Sequence, residues 1–172
     1  KNQSTEFTYT RFLLPYLEDY KGWVLFCDND FLFLDDVKKI FKLADDYYAV
    51  MCCQHNYKPK SDIKMDNEKQ TIYKRKNWSS LMLINCGHPS MKKLDLSTVS
   101  EQSGEYLHQF KWLKDEEIGY IPTNWNWLVN WYEETVDNKP YALHFTEGGP
   151  WIADSEYKDL WLKYKKQMEN DK

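Results

Sequence analysis

Trp23-Val24-Leu25-Phe26-Cys27-Asp28-Asn29-Asp30 is the stretch that decides the fold. Its apolar run breaks off at an acidic triplet. A run of strand length without alternation belongs to a strand covered on both faces, as in α/β sheets. Ligand sites in such sheets lie beyond the carboxyl ends of the strands, which is where this triplet falls. If the backbone there is extended, Asp28 and Asp30 point to the same side and can grip one cation. Their oxygens suit a hard ion such as Mg²⁺ or Mn²⁺. Asp-x-Asp alone is common, and its plain alternative is a polar strand end with helix-capping acids. Position strengthens the metal reading, because the acids follow a buried strand directly and precede a second apolar triplet, Phe31-Leu32-Phe33.

Upstream, Ser4 or Thr5 can cap a helix that carries Arg11 and Leu14 and is bent or interrupted at Pro15. Downstream, Asp35 or Asp36 caps a helix with Val37, Ile40, Phe41 and Ala44 on one face. Residues 49–53 and 81–84 read as buried strands, and Pro89 suits the start of a short helix. Tyr106, Leu107 and Phe110 imply a further helix, and residues 118–121 and 141–145 further strands. Tyr157, Leu160, Trp161, Tyr164 and Met168 recur at helical spacing, with acids first and lysines last, as a helix dipole favours.

Composition bounds the function. With 42% hydrophobic residues and 8 Trp, 13 Tyr and 8 Phe, the chain carries far more apolar surface than a disordered segment. Lys58, Lys60, Lys64, Lys69, Lys74, Arg75 and Lys76 outnumber Asp62, Asp66 and Glu68 in a polar stretch of an otherwise acidic chain. A basic loop on an acidic body suits one anionic ligand, or is simply a solvated loop; nucleic acid, which wants a larger positive face, is not expected. Cys27, Cys52, Cys53 and Cys86 follow no zinc spacing and no disulfide framework, which points to reduced thiols and a cytoplasmic setting. No run approaches the length of a membrane span. Nothing in the sequence sets an oligomeric state.

His144-Phe145-Thr146-Glu147-Gly148-Gly149-Pro150-Trp151 is the second constellation. His144 ends an apolar strand, and a Gly-Gly pair lets backbone amides approach a phosphate closely. An imidazole beside two carboxylates tilts the preference from Mg²⁺ towards Mn²⁺. The plain alternatives are a structural histidine and an ordinary turn.

Together with Thr8-Tyr9-Thr10-Arg11-Phe12-Leu13-Leu14-Pro15, these motifs resemble the glycosyltransferases that include glycogenin and the bacterial lipopolysaccharide galactosyltransferases. That family shows a Thr-Tyr-x-Arg helix, an apolar strand ending in Asp-x-Asp, and a late His-Phe motif closing with Pro-Trp, in this order. The likeness spans most of residues 4–151. It is closest to bacterial or phage-like members, in which Lys76-Asn77-Trp78-Ser79-Ser80 and Asn124-Trp125-Asn126-Trp127 are also familiar.

The resemblance implies a mixed, mostly parallel α/β sheet flanked by helices, the Rossmann-like nucleotide-diphospho-sugar transferase fold. It further implies a single catalytic domain over residues 1–172, forming about the last two-thirds of the complete fold. Asp28, Asp30 and His144 would bind Mn²⁺ (or Mg²⁺) on the diphosphate of a nucleoside-diphosphate sugar. Arg11 would contact the donor; Asn29, Ser79, Ser80, Gly148 and Gly149 belong to the motifs that line it. Asp115 and Glu116 match the family's Asp-Gln pair near the transferred sugar and are the catalytic candidates. The expected activity is hexose transfer, with UDP as the expected carrier and retention of configuration, to a carbohydrate or lipopolysaccharide-type acceptor hydroxyl.

Three departures accompany the resemblance. Gly149 stands where the family carries Lys, so another cation must serve, with Arg11 or the Lys74-Arg75-Lys76 cluster as candidates. Glu116 replaces Gln. The strand-helix-strand unit that binds the base has no counterpart before Ser4, so an N-terminal piece is expected to precede this chain. Trp125-Asn126-Trp127 would either line the acceptor side or pack in the core. The rival readings are a carbohydrate-binding module without catalysis, a glycoside hydrolase pairing Glu116 with Glu133 or Glu134, and an inactive transferase fragment.

Overall fold

The computed structural model describes residues 8–56, 75–152 and 154–170. Most of the basic stretch and the expected Ser4 or Thr5 cap lie outside them. A 3₁₀ turn, Thr10–Leu13, runs into α1 (Leu14–Leu17). Pro15 sits in the first turn of α1, where its missing N–H costs nothing, so it starts a helical segment rather than interrupting one.

Two sheets follow. The first has the order β1 (Trp23–Cys27), β4 (Leu81–Asn85), β3 (Val50–Cys52), β5 (Ile118–Tyr120). The second has the order β2 (Phe31–Phe33), β7 (Ala142–His144), β6 (Trp127–Leu128). Helices fill the connections: α2 (Lys38–Phe41), α3 (Leu96–Glu101), α4 (Gly104–His108) and, after β7, α5 (Lys158–Asn170). Caps fall where the chemistry asks: Asp95 accepts from Thr98 N at 2.7 Å, and Ser103 from Tyr106 N at 3.1 Å.

The mixed α/β class is as expected, with one correction. β1–β4, β3–β4 and β2–β7 are antiparallel, and only β3–β5 and β6–β7 are parallel, so the described strands are not mostly parallel. A continuous apolar run reports burial on both faces and is silent on direction. The burial itself is complete in the centre, where every residue of β3 and β4 is buried. One face of the first sheet packs Val50, Cys52, Met82 and Ile84 against Phe12, Val99, Leu107 and Phe110. The other packs Met51, Leu81 and Leu83 against Ile40, Ile121 and Trp125.

Trp127, Val129, Leu143 and Phe145 form a third core under the second sheet, covered by Leu160 and Trp161 of α5. Trp125, Asn126 and Trp127 are all buried, so they pack rather than line an acceptor surface. The four cysteines are unpaired. No helix among the described residues is long and apolar enough to cross a membrane.

Candidate metal centre

The acidic triplet is where the chain passes from one sheet to the other. Cys27 still pairs with Leu81, and Asp28 N donates to Ser80 O at 2.8 Å, so Asp28 belongs to the first sheet. Asp30 belongs to the second: its carbonyl accepts from Phe145 N at 3.0 Å, and the next residue, Phe31, pairs with His144. Asn29 and Asp30 form a turn rather than continuing the strand, because β2 must leave β1 to find its partner. The two carboxylates therefore converge by a change of sheet, and not by the strand alternation expected of them.

His144 comes to the same point from the far end of the chain. Flanked by β2 and β6, it is 2% exposed, and Phe31 stacks on its ring at 4.4 Å with 20° between planes. Ligand atoms of Asp28, Asp30 and His144 all lie within 4.8 Å of one another. His144 Nε2 is 3.4 Å from Asp30 Oδ1. Arg11 closes the group: Nη2 meets Asp28 Oδ1 at 2.8 Å, Nη1 donates to Ser79 O at 2.8 Å, and Nε donates to Thr8 O at 3.1 Å. Its guanidinium also lies 4.6 Å above the Phe26 ring.

Electrostatics separate the two acids. Burial raises the pKa of Asp28 above the ordinary carboxylate range, with Arg11 opposing. Burial pushes Asp30 the same way, but the facing His144 and, further off, Arg11 outweigh it, and its pKa falls below the ordinary value. An ionised Asp30 is thus favoured although its side chain is only 26% exposed. Its Oδ1 is buried without a hydrogen-bond partner. Such an atom carries a desolvation cost that a cation would relieve. Two carboxylates and one imidazole make an oxygen-rich donor set with a single nitrogen, so these residues fit a divalent ion.

Behind this first layer the candidates Ser80 and Ser79 meet Asn126 and His108; neither His108 nor His55 was marked by the sequence. His144 Nδ1 is 2.8 Å from Asn126 Oδ1, Asn126 Nδ2 donates to Ser80 Oγ at 2.9 Å, and Ser80 Oγ donates to Asn77 O at 2.6 Å. Ser79 Oγ meets His108 Nδ1 at 2.7 Å, and burial, with the Arg11 and Lys76 charges adding to it, depresses His108 to about 3. His55, paired with Tyr132 OH at 2.6 Å, is likewise depressed to about 3, chiefly by burial. Asn126 and His108 carried no local signal, because their partners are 18 to 46 residues away in sequence.

Other sequence candidates fall elsewhere. Asn29 is exposed between its two acids. Gly148 and Gly149 follow β7 at the His144 end. Gly148 adopts φ +99° in a turn, and a Cβ at Gly149 would lie 2.2 Å from the Trp151 ring, so the aromatic ring itself requires this glycine. Asp115 and Glu116 are not among the metal-competent group of Asp28, Asp30 and His144. The two form a 3₁₀ turn with Glu117 that leads into the start of β5, where Ile118 pairs with Val50 and Glu117 O accepts from Ala49 N. Asp28 leaves β1 at the opposite edge of that sheet. Asp115 is engaged by Arg75 at 2.6 Å, and Arg75 also donates to Gln109 O at 2.7 Å.

No family model matches the chain. It is 52% identical over 166 residues to Protein CDI of Arabidopsis thaliana, an alignment covering 93% of this chain and 64% of that protein. The chain thus spans less than two-thirds of its relative's length. Among solved structures it is similar to the glycosyltransferase GlyE of Streptococcus pneumoniae TIGR4, with a TM-score of 0.63 at 13% identity, over 95% of this chain and 43% of that one. The bifunctional glycosyltransferase WbbM gives a TM-score of 0.59 at 13% identity, over 95% and 38%. The apo form of GlyE gives 0.57 at 15% identity, over 95% and 44%. At these identities the likeness speaks to the fold alone, a mixed α/β fold shared with these glycosyltransferases.

Proposed function

We propose that the chain is the metal-binding part of a glycosyltransferase that moves a hexose from a nucleoside-diphosphate sugar to an acceptor hydroxyl. The carrier in this reading is UDP, the ion Mn²⁺, the outcome retention, and the acceptor a carbohydrate such as a lipopolysaccharide sugar. The chain acts as one catalytic domain in this reading. One observation carries the reading: Asp28, Asp30 and His144 meet within 4.8 Å at the sheet crossing, with a buried carboxylate oxygen left unpartnered. The transferase fold of the neighbouring structures supports it independently.

When bound, a divalent ion supplies Lewis acidity against the charge that grows on the departing diphosphate. Asp28, Asp30 and His144 would hold it. Arg11 fixes the carboxylate of Asp28 and ties it to the Ser79 backbone, which keeps the acid aimed while substrates exchange. The imidazole of His108, held neutral by burial, lies beside Ser79 and Arg11 and offers a hydrogen-bonding edge rather than a charge to a sugar. Asp115 and Glu116, at the start of β5, remain the candidates to face the transferred sugar in this reading.

The direct test is a thermal shift of the chain with UDP, with Mn²⁺, and with both. Saturation well above Kd stabilises by about 3 kcal/mol, a rise of roughly 6–12 °C for a chain of this size. The rise should need both additives and vanish in Asp30→Ala and His144→Ala. Stabilisation by free sugars, indifferent to metal and nucleotide, would replace the proposal with a plain carbohydrate-binding role.

A further inference from the structure

The hydrogen bonds behind His144 have a direction, and it is forced from the far end. The Asn77 carbonyl can only accept, so the hydroxyl proton of Ser80 is spent on it at 2.6 Å. Ser80 Oγ must then accept from Asn126, which places Asn126 Nδ2 on the serine side at 2.9 Å. Asn126 Oδ1 is left facing His144 Nδ1 at 2.8 Å, and an amide oxygen only accepts. The proton of the neutral imidazole therefore belongs on Nδ1. In that form Nε2 keeps its lone pair, turned towards Asp30 Oδ1 at 3.4 Å.

Every link is shielded: Asn126 is 0%, Ser80 4% and His144 2% exposed. The anchor is a backbone one, since Asn77 adopts φ 62°, a left-handed conformation that asparagine tolerates better than most residues. We infer that Asn126 is a positioning residue: through Ser80 and the Asn77 carbonyl it holds His144 in the tautomer that presents Nε2 to a divalent cation. The inference rests on the metal reading above, and its physical part, the tautomer, exists without the metal.

The test uses the whole chain, with and without metal. Nitrogen-15 NMR of the metal-free protein should show the His144 proton on Nδ1 in wild type and in Asn126→Asp, which keeps the accepting oxygen. Asn126→Leu should shift it to Nε2, and Ser80→Ala, which frees the amide to turn, should give a mixture. Calorimetric titration should show Mn²⁺ affinity falling about 10- to 100-fold in Asn126→Leu, the usual effect of losing such a support, and recovering in Asn126→Asp. Mg²⁺, which leans on the carboxylates, should lose less.

Three results would overturn the positioning role: a wild-type proton on Nε2, a tautomer indifferent to Asn126, or an Asn126→Leu variant that melts earlier yet keeps tautomer and Mn²⁺ affinity. A fourth result separates the two readings. If wild type shows the Asn126-dependent tautomer but ignores Mn²⁺, the positioning stands and the metal-dependent function falls.

Discussion

Arg11 has its three nitrogens engaged inside the protein, on Thr8 O, Ser79 O and the Asp28 carboxylate. The sequence motif around it implies donor contact; the geometry gives it an internal task first. A lysine offers one point of charge in place of a fork and cannot serve Ser79 and Asp28 together. Arg11→Lys should therefore lower stability by about 1–3 kcal/mol, the range for a hydrogen-bonded group left without its partner. Urea denaturation measures that loss, and a midpoint equal to wild type would show the fork to be unimportant.

At this scale the candidate ligands were legible because the acids and the imidazole each follow an apolar run. Asn126 was not. It sits between two tryptophans that read as ligand platforms or as core, and its meaning arises only when His144 and Ser80 come alongside. Motif likeness names Asp115 and Glu116 as catalytic candidates, and the strand they lead into lies at the other edge of the first sheet.

Among the elements, β1, β3, β4, β5 and β7 declared themselves through continuous apolar residues of strand length. β2 and β6, three and two residues long, did not. Strands that short exist because a distant partner pairs with them, and β7 supplies that partner to both. This unforeseen second sheet is what carries His144 to the acids.

β5 has a different task, that of scaffold. A Cβ on Gly119 would lie 2.7 Å from the Tyr48 ring and 2.8 Å from Met51 Cγ, both on the core side of β3. Gly119→Ala should cost about 1–3 kcal/mol through overpacking. Mn²⁺ affinity should stay at the wild-type value. A parallel loss of metal binding would mean that β5 communicates with the centre.

For the molecule as a whole, His55 and His108 give stability a pH dependence of predictable sign. His55 and His108 are each depressed to about 3, chiefly by burial, whereas an unfolded histidine titrates near ~6.5. Between these values the unfolded chain binds more protons than the native one. The stabilisation is therefore complete above about pH 6.5 and drains away as pH falls towards 3. Asp28, whose pKa burial raises, works in the opposite direction nearer the carboxylate range. The clearest window is thus about pH 7 to 5, and the urea midpoint should fall across it. His108→Asn should flatten that slope; an unchanged slope in this variant would mean that His108 is not held neutral.

The fold class could be read from one strand and its acidic end, while the arrangement of two sheets about a crossing could not, since it depends on pairings between residues 31–33, 127–128 and 142–144. The function rests on what that crossing assembles. Pulsed electron paramagnetic resonance of Mn²⁺ added to the full chain examines it most directly, because an imidazole nitrogen bound to the ion leaves a nitrogen coupling in the spin echo. The account predicts one such coupling in wild type and none in His144→Ala. A wild-type spectrum without nitrogen coupling, or one that survives the substitution, would contradict it.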